Sequence, residues 1–230
     1  MRFLTLSSPG SSVSQWVKIL DLSIIVPWVL YAAVTIVIIS FTEHQVHQQL
    51  MHRRSAIANL RKSFDRIFEA HAITHHKHYS AIFTDEPVAP GEDKEIRLNV
   101  HKAPIKTLPF TILIALVSWQ WAVVFVGCVL LHHWIWNKIH LEMHKPEGRS
   151  FSHWPAYKFL ARHHFLHHQY PSKNFNVVVP LADYVLGTNA HATGADMLEM
   201  EKLGLLTLKP EQAALLRKSV EEKKVLSGKR

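Results

Sequence analysis

Residues 163–168 read HHFLHH, in a chain that carries 18 histidines among 230 residues. A neutral imidazole offers one lone pair and one N–H, and suits iron, copper and zinc as a ligand. The spacing of these histidines is ordered. His47-x4-His52 is followed, after 18 residues, by His71-x3-His75-His76. His140-x3-His144 is followed, after 19 residues, by His164-x2-His167-His168. The same two-part pattern therefore occurs twice at nearly equal spacing. A purification tag or a low-complexity metal-sticky tract would not repeat in this way.

Helical periodicity sorts these residues. Positions i, i+3 and i+4 share one helix face. His164, His167 and His168 therefore project together, as do His140 and His144, whereas His163 lies about 100° round from His164. Elsewhere the spacing fits a regular helix poorly. His47 and His52 are five apart and would splay. His71 and His75 share a face with His78 more readily than with His76, so either could complete that group, and His76 requires a local distortion. Cys128 is the only cysteine, which excludes disulfides and cysteine-based zinc sites. Any metal here is held by nitrogen and oxygen.

The elements that must position these groups are apolar. Leu22–Phe41 runs twenty residues without a charge, and Thr107–Trp136 runs thirty without Asp, Glu, Lys or Arg. Both lengths are those of membrane-embedded segments. The first, about 19–41, is expected to be a retained span rather than a secretory signal. Arg53, Arg54, Arg61, Lys62 and Arg66 follow it closely, while Arg2, Lys18 and the opposing Asp21 precede it. The positive-inside rule then places the following segment in the cytoplasm. Two histidine segments that build one site must lie on one side of the membrane. A single long helix over about 104–136 would separate them. Two arms of about 14 residues, about 21 Å each, would dip in and return at Ser118-Trp119-Gln120-Trp121. The Trp pairs Trp119/Trp121 and Trp134/Trp136 read as interface anchors. The net charge of +8 is accounted for by this basic flank, and no aromatic-basic interleaving argues for nucleic acid. The expected architecture is an all-α integral membrane protein: a transmembrane helix and an apolar helical hairpin beneath a cytosolic, histidine-rich helical cap. Residues 1–190 form the membrane-embedded domain. Residues 191–230 form a polar tail with a helix starting at Pro210.

HQQLMH (47–52), HAITHH (71–76), HLEMH (140–144) and HFLHH (164–168) resemble the four histidine boxes of the membrane-bound fatty acid hydroxylase and sterol desaturase superfamily. NFNVVVPLADYVLGT (174–188) is similar to that family's closing segment through Asn174, Phe175, Asp183, Gly187 and Thr188. Asn176 stands where the family usually has Gly, and Ala182 where it has Trp. The resemblance covers roughly residues 20–190. It implies two metal ions, physiologically iron, with O2 as co-substrate and attack on an unactivated C–H bond of a lipid. Its ligand set falls on His47, His52, His71, His75, His76, His140, His144, His164, His167 and His168. Ring N–H groups in such a site need acceptors. Glu43, Asp65, Glu69, Glu142, Asn174 and Asp183 lie near the boxes and are candidates.

The expected activity is hydroxylation of a fatty acid or acyl chain, with desaturation by the same family as the alternative. Zinc outranks iron for divalent affinity, so protein as purified could carry zinc. The chain leaves no room for a fused haem domain, so electrons are expected from a separate ferredoxin, cytochrome or reductase. The basic face suits an acidic donor. A zinc hydrolase is disfavoured because no HExxH occurs and ten ligands exceed one catalytic zinc's needs. A metal transporter would place its ligands near the bilayer midplane, whereas these boxes flank the apolar segments.

Overall fold

The computed structural model describes residues 22–54, 62–87, 89 and 96–227, all helical or irregular, with no strand among them. Arg2, Lys18, Asp21 and Arg61 of the charge argument lie outside the described residues. Helix α1 (Leu22–Val46) uses the first apolar run and continues into a π-helical turn, His47–Met51. Helix α2 (Lys62–Phe68), a second π turn (Glu69–His75) and α3 (His76–Tyr79) form one continuous rod. After a 3-10 turn come α4 (Ala103–Lys106) and α5 (Leu108–Val117). The long α6 (Trp119–His144) follows, then α7 (Pro155–Gln169), α8 (Leu181–Val185), α9 (Gly194–Lys202) and α10 (Pro210–Ser227). The tail helix starts at Pro210 as its sequence predicts.

Two helices among the described residues are long and apolar enough to cross a membrane: Ile25–Met51 and Trp119–His144. They run parallel. Tyr31 stacks on Trp121 at 5.8 Å, Trp121 Nε1 donates to Thr35 Oγ1 at 3.0 Å, and Glu43 faces His132 further along. Thr35 is fully buried at this contact. The chain does turn at Ser118, an extended residue (φ −157°, ψ 119°) whose hydroxyl caps α6 by accepting from Trp121 N.

The two arms are unequal, unlike the expected pair of about 14 residues. The inward arm is short and bent by 58° between Val100–Lys106 and Leu108–Val117, where Thr107 Oγ1 donates back to the Ala103 carbonyl. The outward arm runs 26 residues without a break. Nothing stops it: Asn137, a residue that often ends helices, instead clamps Leu98 with its side-chain amide at both backbone atoms (2.6 and 2.9 Å). The third box is therefore the last turns of a hairpin arm.

Above these helices, α7 and α9 close a core of Phe83, Trp136, Met143, Tyr157, Phe165 and Met200, all buried. Met200 on α9 and Leu205 after it belong to this same core, so the start of the tail packs on the cap. Thr193 and Asp196 cap α9 reciprocally.

Candidate metal centre

The two π turns supply the distortion that the spacing demanded. A π turn closes i→i+5 hydrogen bonds. His52 N donates to the His47 carbonyl, and His76 N to the His71 carbonyl. Residues five apart are thereby brought onto one face. The His47 and His52 rings lie 5.0 Å apart, and those of His71 and His76 4.9 Å. His76, not His78, joins the cluster; His78 points to the surface and pairs with Asp85 at 3.0 Å.

All ten box histidines converge. One group joins His47, His52, His71, His76 and His167; the other joins His75, His140, His144 and His164, with ligand atoms of each group within 4.8 Å of one another. His168 lies between the groups. Its Nε2 is 3.1 Å from that of His164, and its ring stacks on His76 at 4.3 Å. His75 also links them, stacking on His71 at 5.0 Å.

The proton inventory fits a cation rather than hydrogen bonds alone. His47 and His167 donate Nδ1–H to the carbonyls of Phe175 and Lys173. His140 and His144 donate theirs to the carbonyls of Ile96 and Phe83, at 3.1 and 2.8 Å. In a neutral ring each such bond leaves Nε2 as a bare lone pair. Yet His167 Nε2 faces two further Nε2 atoms, of His52 at 3.0 Å and His76 at 3.1 Å. Likewise His47 Nε2 is 2.8 Å from that of His71, and His144 Nε2 is 3.0 Å from that of His164. His140 Nε2 and both nitrogens of His75 are buried with no partner. With a metal–nitrogen bond of about 2.1 Å, neighbouring ligands lie about 3.0 Å apart at right angles and about 3.4 Å apart in a tetrahedron. The observed separations of 2.8–3.1 Å are those of neighbouring nitrogens that could share one ion.

Burial keeps these rings in the ligand form. Desolvation, reinforced by neighbouring imidazoles, pushes His52 down to about 2 and His76 down to about 3. His71, His75, His164, His167 and His168 are likewise held well below the ordinary imidazole value. They stay neutral, as metal binding requires.

The acidic candidates sit one step further out. Asp183, fully buried, accepts from Phe175 N (2.8 Å), Asn176 N (2.7 Å), Thr188 Oγ1 (2.7 Å) and His163 Nε2 (3.0 Å). These bonds outweigh the cost of burying its charge and hold its carboxyl below the usual range. Asp183 thus anchors the segment whose Phe175 carbonyl orients His47. Asn174 adopts a left-handed φ of 55°; its side chain donates to the His163 carbonyl and accepts from Ala190 N. Glu43 accepts from Asn176 Nδ2 and Val177 N, both at 3.1 Å, and faces His132 Nε2 at 3.3 Å. Glu142 gathers Glu147 N, Gly148 N, Arg149 N, the Arg149 guanidinium and Ser152 Oγ, shaping the turn between the third and fourth boxes. Asp65 and Glu69 contact no box histidine in any described hydrogen bond. The four carbonyls that hold the rings carried no sequence signal, because every residue has one. His44, beside the first box, is buried, with its Nε2 2.9 Å from Thr188 Oγ1.

Comparison with protein-family models, curated proteins and solved structures finds no match.

Proposed function

We propose that this chain is a membrane-bound non-haem di-iron oxygenase that hydroxylates an unactivated C–H bond of a fatty acid or acyl lipid. It would belong to the superfamily its boxes resemble. The observation that carries the proposal is the convergence of ten imidazoles, all buried but the half-buried His52: nine form two adjoining groups with lone pairs facing inward, and His168 lies between them. His47, His52, His71, His76 and His167 would hold one iron; His75, His140, His144 and His164 would hold the other, with His168 between them. When bound, the metal pair supplies the electrons and Lewis acidity that O2 activation needs.

The residues themselves have defined tasks. The carbonyls of Phe83, Ile96, Lys173 and Phe175 fix four rings and keep their Nδ1 protons away from the centre. Phe83 and Tyr79, packed edge-on and tilted against His144 at 4.9 and 4.1 Å, exclude water. The position of the groups favours an enzyme over a transporter. Ile25 to His47 spans about 33 Å of helix at 1.5 Å per residue, just beyond a hydrocarbon core of about 30 Å. The histidines thus sit at one end of the spans, where a lipid carbon can reach them, and not at the midplane. The hairpin tip lies level with Tyr31, six residues or about 9 Å inside the start of the first span, which supports a re-entrant hairpin. We place the cap in the cytoplasm, on the side of Arg53, Arg54 and Arg66, where a soluble electron donor has access.

The test is lipid analysis of cells expressing the protein beside the His167→Ala variant. Gain of one oxygen by a membrane lipid, absent in the variant, is expected. Loss of two hydrogens instead would replace hydroxylation by desaturation. No lipid change, with metal bound and a donor present, would refute the reading.

A further inference from the structure

Between Asn174 and Ala190 the chain carries one charge, Asp183, and that charge is buried. Within it, Val177–Leu186 is apolar apart from Asp183 and the Tyr184 hydroxyl, and one side of that segment is not covered. On α8 and just after it, Leu181, Tyr184, Val185 and Leu186 are exposed, Val185 by 62%. The opposite side of α8 is locked down: Ala182 and Asp183 are fully buried. This knuckle is pinned to α1 at Glu43, which accepts from Val177 N at 3.1 Å, and, deepest along the helix, at Ser40. Ser40 Oγ donates to the Val179 carbonyl at 2.7 Å and accepts from Ala182 N at 3.1 Å, while the Ser40 carbonyl accepts from Asn176 Nδ2 at 2.8 Å.

Ser40 lies fifteen residues after Ile25, about 22 Å along the helix. A hydrocarbon core of about 30 Å that begins at Ile25 ends about 8 Å beyond Ser40. The exposed face of α8 is therefore tied to a point inside the bilayer's apolar boundary. It also continues an existing apolar surface: Ile36 and Val37, one turn before Ser40 on the same helix, are exposed too. An interfacial element buries its apolar side about 5–10 Å below the headgroups, and the depth found here falls in that range.

The geometry points to Val177–Leu186 as a membrane-embedded knuckle whose occupant is the acyl region of one bilayer leaflet. This rests on the reading of Ile25–Met51 as a span. The consequence is mechanical. Asp183 on the knuckle holds Phe175, whose carbonyl holds His47, so the element in contact with lipid is two hydrogen bonds from a ligand's orientation. Leaflet lipid and metal centre are thereby set in a fixed relative depth.

Site-directed spin labelling tests this in lipid nanodiscs, on full-length protein with Cys128→Ser. Labels at Val185→Cys and, separately, Leu186→Cys are compared with Val37→Cys on the span and Lys218→Cys on α10. The ratio of collision with O2 to collision with a water-soluble nickel chelate reports lipid immersion. Ratios at 185 and 186 within about a factor of two of that at 37, and well above that at 218, are expected for an interfacial element. If 37 is immersed while 185 and 186 match 218, the knuckle is a water-exposed surface and the inference falls alone. If 37 itself matches 218, the span reading falls and takes the inference with it.

Discussion

His167 gives the sharpest account of how a single residue works here. Its Nδ1 proton is committed to the Lys173 carbonyl at 2.6 Å, so its Nε2 lone pair faces His52 and His76 with nothing to donate. Removing it takes one ligand from the five-histidine group and leaves the other group intact. Metal content of His167→Ala, measured after iron-supplemented expression, is expected to drop from near two per chain to near one, while His78→Ala retains both. Equal loss in the two variants would show that the cluster does not bind metal as grouped. The same residues set the response to acid. Their folded-state values lie well below the ordinary 6.5, to about 3 for His76, so the unfolded chain binds more protons below pH 6.5. The stability they contribute is present above that pH and is lost as pH falls toward the folded-state values. The melting temperature of the metal-free protein in detergent should therefore decline steadily from pH 7 to pH 4.5. A flat profile over that range would mean the rings are not buried as neutral groups.

At the level of the element, the segment Lys173–Asn176 does more than connect. Two carbonyls two residues apart, Lys173 and Phe175, each hold a ligand ring, with Asn174 at φ 55° between them. A left-handed residue turns the peptide there, and a β-branched side chain opposes it by about 1–2 kcal/mol. Asn174→Val should therefore lower metal occupancy and the melting temperature more than Asn174→Gly, which keeps the backbone freedom and loses only the side-chain bonds. Metal analysis and thermal unfolding of the two variants check this, and equal effects would assign Asn174 only a side-chain role. Legibility in the sequence divides along the same line. The helical faces of His140/His144 and His164/His167/His168 were readable because they obey regular i, i+3, i+4 geometry. The turn at Ser118 was readable because both histidine segments must lie on one side of the membrane, which a single helix over 104–136 would prevent. The π turns were visible only as misfits of spacing, since their i→i+5 register is imposed by the convergence of distant boxes. The carbonyl acceptors and the unbroken length of α6 were not visible, because both depend on backbone contacts made after folding.

The whole molecule exposes its apolar residues selectively, and that pattern makes a decisive comparison. Leu116, beside the hairpin tip, is 80% exposed, and Leu215, on α10, is 69% exposed. By local burial the two leucines are alike. Their settings differ: Leu116 sits among Phe110, Leu113, Val117 and Trp119, all exposed and none charged, whereas Leu215 sits in a helix rich in Lys and Glu. In water both positions would accept lysine without harm, and Leu116→Lys would even relieve an exposed apolar patch. In a bilayer they part. The hairpin tip lies about 21 Å from the cap-side boundary of a core about 30 Å thick, and lysine deep in that core costs about 2.5–3.5 kcal/mol on the insertion scale. Leu116→Lys should thus cut the folded, membrane-inserted fraction by about two to two and a half powers of ten if the cost falls wholly on insertion, and Leu215→Lys should leave it unchanged. Membrane fractionation followed by detergent-extracted gel filtration reads both. If the two variants behave alike, the hairpin does not lie in lipid, and the exposed apolar belt needs another partner.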